Sequence, residues 1–454
     1  MPESSSKRSA LTRLLFSAFD ALEQNNISYC LLRDFDQIDQ IADSGGEIDL
    51  LVDGDQWKSV YSYLTQIGFV HMRALGHAPH HFFIAYDKIG RCWIKLDVVT
   101  EIAYGKRNHA LRTDLASNCL NNRKHDKGIF IPSPEDEFMT LLLHCVLDKE
   151  EFALGRRQRL MKLSGEVGNI QYLSNLLEQF WSPTLSWSRL KTLVEDGQWE
   201  ALLVERRNVV AYLASKDEAG AFTRKIRSQV LRKLNRLLNM LRPQLPMVAL
   251  LAPDGAGKTT LTAAIQSASY FPVYCVYMGL YQKGTVTAKP SPIPGLGFVR
   301  RLFTQWKRYL VARYHQGCGR LVVFDRYTYD YLLPSNRQLN WGQRSRRWMM
   351  AHACPAPDLV IVLDAPGEVL YQRKGEHSPA VLEKQRRAYH KLRSLVPQMV
   401  LLDATHSPDE VQQEAIALIW EAYLARNAKA GPIARVNLVN EKRSLAQYSD
   451  PGSK

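Results

Sequence analysis

Leu250-Leu251-Ala252-Pro253-Asp254-Gly255-Ala256-Gly257-Lys258-Thr259-Thr260 is the stretch that decides how the chain is read. The apolar run Met247 to Leu251 predicts a buried strand, and a helical pattern starts at Lys258. Strand, glycine turn and helix in that order make a phosphate-cradling loop. Its glycines let backbone N–H groups close round phosphates, and the helix N-terminus adds its dipole. Gly255, Ala256, Gly257, Lys258, Thr259 and Thr260 are therefore the expected nucleotide-binding residues. Lys258 would reach the β- and γ-phosphates, and the Thr259 hydroxyl would sit on Mg²⁺. One position departs from the motif: Ala252 stands where its first glycine is expected, which costs little if φ there is negative. The competing reading is an ordinary glycine-rich turn between strand and helix.

With 454 residues, the chain has room for two or three domains, each with its own core. Its 46% hydrophobic and 23% charged residues are ordinary for a soluble globular protein. No apolar run reaches the roughly eighteen residues a membrane span needs, and Met1 to Ser9 is polar with no signal-peptide core. Cys30, Cys92, Cys119, Cys145, Cys275, Cys318 and Cys354 are scattered, with no CxxC pair. They predict reduced thiols in a cytoplasmic protein and argue against a zinc site. The net charge of +14 points to anionic partners without choosing among nucleotides, nucleic acid, phosphorylated substrates or a membrane surface.

Residues 10–25 carry apolar side chains at helical spacing, and Ile27 to Leu32 reads as a strand. In Ser44-Gly45-Gly46-Glu47-Ile48-Asp49-Leu50-Leu51-Val52, alternation puts Glu47 and Asp49 on one side of a strand. A later strand, Cys92 to Val99, carries Asp97 between apolar residues. Three carboxylates on neighbouring strands could hold a pair of Mg²⁺ ions on a nucleoside triphosphate. This arrangement resembles the minimal nucleotidyltransferase superfamily over about residues 10–150, including the Ile67-Gly68-Phe69 turn and the helical Pro134-Glu135-Asp136-Glu137…His144 segment. Two departures stand out. The first acid is Glu47 where the family has Asp, and the family's upstream Gly-Ser turn is replaced by Leu32-Arg33-Asp34, with Gly45-Gly46 too close to the acids to serve. The alternative is a fold retained without chemistry.

From about 134 to 243 the pattern is helical and poor in glycine, and His144 on an apolar helix face reads as a core histidine. Phe222 to Arg242 combines a stripe (Ile226, Val230, Leu234, Leu237, Leu238, Leu241) with a basic opposite face (Arg224, Lys225, Arg227, Arg232, Lys233, Arg236). Such a helix either lies on an anionic membrane surface or joins domains with its charged face in water. Pro243 and Pro246 end it.

Beyond about 245, strands (247–252, 273–278, 320–325, 358–364, 399–402) alternate with helices (258–268, 298–315, 340–353, 367–371, 380–396, 408–426). That alternation predicts a parallel sheet covered on both faces, with ligands at the strands' carboxyl ends. A Pro/Gly-rich loop is expected at 283–297, and a tail from Asn427. Leu321-Val322-Val323-Phe324-Asp325-Arg326-Tyr327 would deliver an acid placed to organise Mg²⁺ and an arginine able to grip a phosphate. The loop, Asp325-Arg326-Tyr327, Pro357-Asp358 through Asp364, and the helix Glu368-Val369-Leu370-Tyr371-Gln372-Arg373-Lys374 together resemble the thymidylate kinase family over most of 245–425. The resemblance implies that Arg326 holds the acceptor phosphate, Asp254 contacts an acceptor hydroxyl, and Arg373 lies over the donor phosphates. Glu376, Gln385, Arg386 and Tyr389 complete a lid-like segment without individual roles.

The expected organisation is α/β: a P-loop NTPase parallel sheet (245–426) with helices on both faces, preceded by an α+β nucleotidyltransferase-like domain (1–133) and a helical region with a basic helix (134–244), and followed by a tail (427–454). The expected activity is ATP-dependent, Mg²⁺-assisted phosphoryl transfer to a phosphorylated or hydroxyl acceptor. Lys258, Asp325, Arg326, Arg373 and Asp254 are its catalytic candidates. Thr259 and Asp325 are the metal candidates there, as Glu47, Asp49 and Asp97 are in the first half. Residues 296–350 hold eleven basic residues against Asp325 and Asp330, with Trp306, Trp341 and Trp348 among them. The excess suggests an acceptor larger or more anionic than dTMP, lipid-linked acceptors included, or a docking surface. The fused first half and the Arg373-to-Glu376 lid also resemble bacterial proteins of surface-polysaccharide and glycolipid pathways. A nucleotidyltransferase, an ATP-switched binding protein, peripheral contact with the inner membrane face through 222–242, and self-association are the alternatives carried forward; nucleic acid is the weaker expectation.

Overall fold

The computed structural model describes residues 3–33, 35, 38, 45–106, 109–181, 185–279, 296–334, 338–375, 377–396 and 398–428, without the side chains of 3–13 and 296. Residues 283–295 and 429–454, expected as loop and tail, and Glu376 of the lid segment lie outside the described residues. Two compact units are present, Met1–Asn235 and Arg236–Lys454.

Unit 1 opens with helix α1 (Glu3–Gln24), in which Leu15, Phe19 and Leu22 are fully buried at i, i+4, i+7 spacing. Strands β1 (Tyr29–Leu31) and β2 (Gly46–Val52), helix α2 (Trp57–Gln66), and strands β3 (Val70–Met72), β4 (His80–Asp87) and β5 (Cys92–Val99) follow. The strands form one mixed sheet in the order β1-β2-β5-β4-β3, with β2 and β5 parallel and the other pairs antiparallel. Alternation decides its faces. Ile48, Leu50 and Val52 pack with Phe19, Val60 and Leu64 of the two helices. Leu51 turns the other way and joins Val99 in a second core. Glu47 and Asp49 share Leu51's side of β2.

Short hairpins β6–β7 (Ala103–Tyr104, Leu111–Arg112) and β8–β9 (Lys124–Asp126, Ile129–Ile131) bracket helix α3 (Leu115–Asn121). Helices α4 (Pro134–Leu143), α5 (Leu154–Glu166), α6 (Ile170–Phe180), α7 (Trp187–Glu195), α8 (Trp199–Val204) and α9 (Arg206–Ser215) then fill the second core with leucines and tryptophans. The start of α4 is set by sequence: Ser133 Oγ accepts the Asp136 N–H at 3.2 Å and Pro134 occupies the first turn. Between α4 and α5 the chain makes a π-helical turn, His144–Lys149, closed by Glu150 at φ 59°.

Helix α10 (Glu218–Leu241) corrects one expectation. The side that docks is the one centred on Ser228, which is buried and donates to the Gly76 carbonyl at 2.7 Å, also reached by Arg232 Nε at 3.1 Å, while Lys225, Arg227, Lys233 and Arg236 stay exposed. Gly76 permits this approach, since its φ is +84° and a Cβ there would lie 2.6 Å from the Ser228 carbonyl. The apolar stripe therefore points outward.

Unit 2 contains β10 (Met247–Leu251), α11 (Lys258–Ala268), β11 (Val273–Tyr277), α12 (Leu296–Gly317), β12 (Leu321–Asp325), α13 (Trp341–Ala351), β13 (Leu359–Asp364), α14 (Gly367–Lys374), α15 (Pro379–Leu392), β14 (Met399–Asp403) and α16 (Pro408–Ala428). The sheet order is β11-β12-β10-β13-β14 and every pairing is parallel. Met247, Ala249 and Leu251 pack with Ala312 of α12 and Tyr389 and Leu392 of α15. Val248 and Leu250, on the opposite face, are also fully buried, as a strand covered on both sides requires. All seven cysteines are free. Among the described residues no helix is long and apolar enough to cross a membrane.

Trp57 of α2 stacks on His81 at 3.7 Å between ring centroids, with His71 at 6.0 Å. Burial lowers both imidazoles, His81 to about 4 with further help from His71 and His80. Both therefore protonate at lower pH in the fold than in the unfolded chain, which takes up protons below pH about 6.5. Unit 1 should thus lose stability as pH falls from 6.5 toward 4. His81→Phe, which keeps the stack, should flatten that slope by up to about 1.4 kcal/mol per pH unit in denaturant titrations of the full chain; an unchanged slope would refute the assignment.

Candidate functional sites

In unit 2 the turn after β10 takes its shape from two glycines in the left-handed region, Gly255 (φ +90°) and Gly257 (φ +88°). A side chain at Gly255 would meet the Leu370 carbonyl at 2.7 Å and Lys374 Cβ at 3.4 Å, so α14 packs directly on the loop. Arg373 lies in that same last turn of α14 and is exposed. Ala252 is buried and is not among the residues with positive φ, so its Cβ is accommodated. Gly257 precedes α11 and offers no side-chain cap, which leaves the first-turn N–H groups available to an anion. Ala256 is buried, whereas Thr259 and Thr260 are exposed at the helix start.

Parallel pairing sets Leu250 opposite Asp325 and Asp325 opposite Tyr277. The chain then leaves β12 through Arg326 at φ +66°, with its N–H bonded to the Leu250 carbonyl at 3.1 Å. Its guanidinium reaches Asp254 Oδ1 at 3.0 Å and Asp330 Oδ2 at 3.4 Å. Burial works against the Arg326 charge, but Asp330, Tyr389 and Asp254 more than restore it. Asp330 is buried, which pushes its carboxyl up against the pull of Arg326 and of Tyr389, whose hydroxyl donates to it at 3.3 Å. Burial and Arg326 lower the Lys258 ammonium, opposed by Asp325, Asp254 and Asp330. Four expected residues, Asp254, Lys258, Asp325 and Arg326, thus converge, and Arg373 stands on the adjoining helix.

Asp325 Oδ1 is buried and has no hydrogen-bond partner among the described residues. An orphaned carboxylate oxygen at a strand's carboxyl end, in the same unit as the exposed Thr259, fits a Mg²⁺ ion or its bound water.

Sequence reasoning missed several participants. Asp330 follows Arg326 by one helical turn, a spacing that could have flagged it. His377 Nε2 lies 3.9 Å from Asp254 Oδ2. Asp364 accepts a bidentate pair from Arg386 at 2.8 and 2.9 Å and is also met by His390 at 2.8 Å. Hydrogen bonds from Arg386, working against burial, hold its carboxyl below the usual range. That ties the lid-like helix α15 to the end of β13.

In unit 1 the parallel register sets Asp49 directly beside Asp97 and Glu47 beside Lys95. One oxygen from each of Glu47, Asp49 and Asp97 lies within 4.8 Å of the others. Each acid also meets a base: Lys95 Nζ to Glu47 at 2.5 Å, Arg33 Nε to Asp49 at 2.8 Å, and His80 Nδ1 to Asp97 at 2.9 Å. Burial would raise the Asp49 carboxyl, yet Arg33, His144 and His80 hold it below its ordinary value. Three carboxylates are a donor set suited to a hard divalent cation, which would compete with these bases. The acids line a cavity of about 890 Å³ that Lys106, Lys149, Arg156 and Lys162 also line. His144 lines it too, with Nδ1 3.0 Å from Asp148 Oδ2, so it is not simply a core residue.

The chain is 32% identical over 112 residues to a probable thymidylate kinase of Pyrococcus abyssi (strain GE5 / Orsay). This chain contains a thymidylate kinase-like region. The match takes in 22% of this chain and spans about half, 52%, of that relative's length. A thymidylate kinase structure from Candida albicans is similar at TM-score 0.32 and 14% identity, covering 39% of this chain and 93% of that one. No family model matches.

Asp330, not Asp254, should be the main support of Arg326, because its side chain is 5% exposed against 29% for Asp254. Asp330→Asn is expected to cost roughly 1–3 kcal/mol in denaturant unfolding, and Asp254→Asn less than about 1 kcal/mol. The reverse ranking would overturn that assignment.

Proposed function

We propose that unit 2 is an ATP-dependent phosphotransferase of the nucleoside-monophosphate kinase type. The observation that carries this reading is the convergence of Lys258, Asp325, Arg326 and Asp254 on a glycine loop whose backbone is shaped for phosphate. The partial similarity to a thymidylate kinase supports it. In this reading the loop N–H groups and Lys258 hold the donor's β- and γ-phosphates. Thr259 and Asp325 are the residues that would hold Mg²⁺, which when bound neutralises charge between the phosphate oxygens.

Arg326 grips the acceptor's anionic group, and its ion pairs to Asp330 and Asp254 keep the guanidinium aimed before the acceptor arrives. Arg373, on the helix packed against Gly255, swings over the transferring group as its charge spreads. Catalysis is then positioning and charge neutralisation with no covalent intermediate on the protein. The acceptor is an anionic phosphorylated or hydroxyl compound, small or lipid-linked. Lys258→Ala should lower transfer of labelled phosphate from ATP to a small-molecule and lipid extract by at least about a hundredfold, with unfolding unchanged. Undiminished transfer would rule the reading out.

A second reading concerns unit 1 and rests on the meeting of Glu47, Asp49 and Asp97 in one cavity. These acids would hold the divalent ions of a nucleoside triphosphate, and the basic lining residues would receive its phosphates, so that a nucleotidyl group passes to an acceptor with release of pyrophosphate. Pyrophosphate release that survives Lys258→Ala and is lost in Asp49→Asn is the expected signature. Equal release from the Asp49→Asn protein would exclude it.

A further inference from the structure

We infer that α10 and α12 form amphipathic docking elements for an anionic lipid surface. Along α10, Phe222, Ile226, Val230, Leu234, Leu237 and Leu241 recur every three or four residues and are 43–65% exposed. They lie on the side of the helix opposite Ser228, which is buried against Gly76. Lys225, Arg227, Lys233 and Arg236 flank the stripe and are exposed. From Ala219 to Arg242 the sequence contains no acidic residue.

Helix α12, taken by itself, repeats the design. Val299, Phe303, Trp306, Leu310 and Tyr314 keep the same spacing and are 40–72% exposed, while Gln305, Ala312 and Gln316 are buried on its inner side. Arg300, Arg301 and Lys307 are exposed, and α12 likewise has no acid.

Exposed apolar stripes of this length mark an interaction surface. Charge selects the occupant. A second copy would set lysines and arginines against lysines and arginines, since α12 has no carboxylate and α10 has only Glu218, ahead of its stripe. An acidic peptide helix would want a groove with walls, and each stripe stands on an open, convex helix. Single-stranded nucleic acid would use the aromatic rings but not the valines and leucines. A bilayer with anionic headgroups satisfies both halves of the pattern: aliphatic and aromatic side chains enter the acyl boundary, Trp and Tyr sit at headgroup level, and flanking cations meet the phosphates. Each helix has the length of an interfacial element, roughly 33–36 Å at 1.5 Å per residue.

The test is co-sedimentation of the full chain with vesicles of phosphatidylcholine alone or with 30 mol% phosphatidylglycerol (about one anionic lipid in three, enough for a strong surface potential). Binding is expected only with the anionic lipid, and raising salt from about 0.1 to 0.5 M should weaken it severalfold. Ile226→Ser/Val230→Ser and, separately, Phe303→Ser/Leu310→Ser should each lower the partition at least about tenfold. These side chains are exposed, so circular dichroism should be unaltered. Lys258→Ala should bind vesicles like the wild type, which separates this inference from the kinase reading. Absence of binding to anionic vesicles, equal binding to neutral ones, or wild-type binding by both serine variants would overturn it. So would light scattering that shows a dimer dissociated by Ile226→Ser/Val230→Ser.

Discussion

The parallel pairing of β10 with β12 is the constraint on which the unit 2 site depends. It sets Leu250 opposite Asp325, so the glycine loop and the Asp325-Arg326 pair leave the sheet side by side. The Leu250 carbonyl then accepts the Arg326 N–H and fixes the chain in a left-handed turn. Left-handed backbone at a non-glycine residue costs about 1–2 kcal/mol. Here it is offset by ion pairs to Asp254 and Asp330, and its product is a guanidinium folded back over the loop. Strain of this kind persists where surrounding contacts over-determine the conformation.

Register does the same service in unit 1. A one-residue slip of β2 against β5 would send Asp49 to the face occupied by Ile48 and Leu50, and the cluster with Asp97 would vanish. The cluster is thus specified by the apolar pattern of the strands that carry it. Opposite electrostatic logic governs the two units. Unit 2 presents N–H groups and cations, a set suited to an anion. Unit 1 presents carboxylates paired with Arg33, Lys95 and His80, a donor set suited to a hard cation.

Much of unit 2 was legible because local and global signals agree there. The loop motif, the continuous apolar strands and their alternation with helices all point to a parallel sheet. The end of β12 was readable because a charged pair after four buried residues has few structural uses. Tyr389 and Asp364–Arg386 were not, since their roles depend on partners 59 and 22 residues away in sequence. In unit 1 the acids were visible by period-two alternation, but their neutralising bases were not. Arg33 sits where a Gly-Ser turn was expected, and His80 comes from β4, which the strand pattern did not pair with β5. The π turn that brings His144 and Asp148 to the cavity has no sequence signal of its own.

Helix α10 shows why periodicity alone misleads about orientation. Spacing identifies which residues share a face; it does not say which face turns inward. The usual assumption is that the apolar side does, because burying it releases about 25 cal/mol per Å². In α10 that choice is overridden by polar contacts to the rest of unit 1. Gly76, lacking a Cβ, lets the helix backbone approach closely enough for Ser228 and Arg232 to share its carbonyl, and that contact commits the Ser228 side of the helix to the protein. From Phe222 to Leu234 the stripe therefore faces away from that contact, and it is exposed. A soluble chain keeps six large apolar side chains so exposed only at a cost in solubility. The absence of any acid among them removes the ordinary means of masking such a surface, i,i+4 ion pairs. What remains is a face whose chemistry is complete only when something apolar and anionic lies against it.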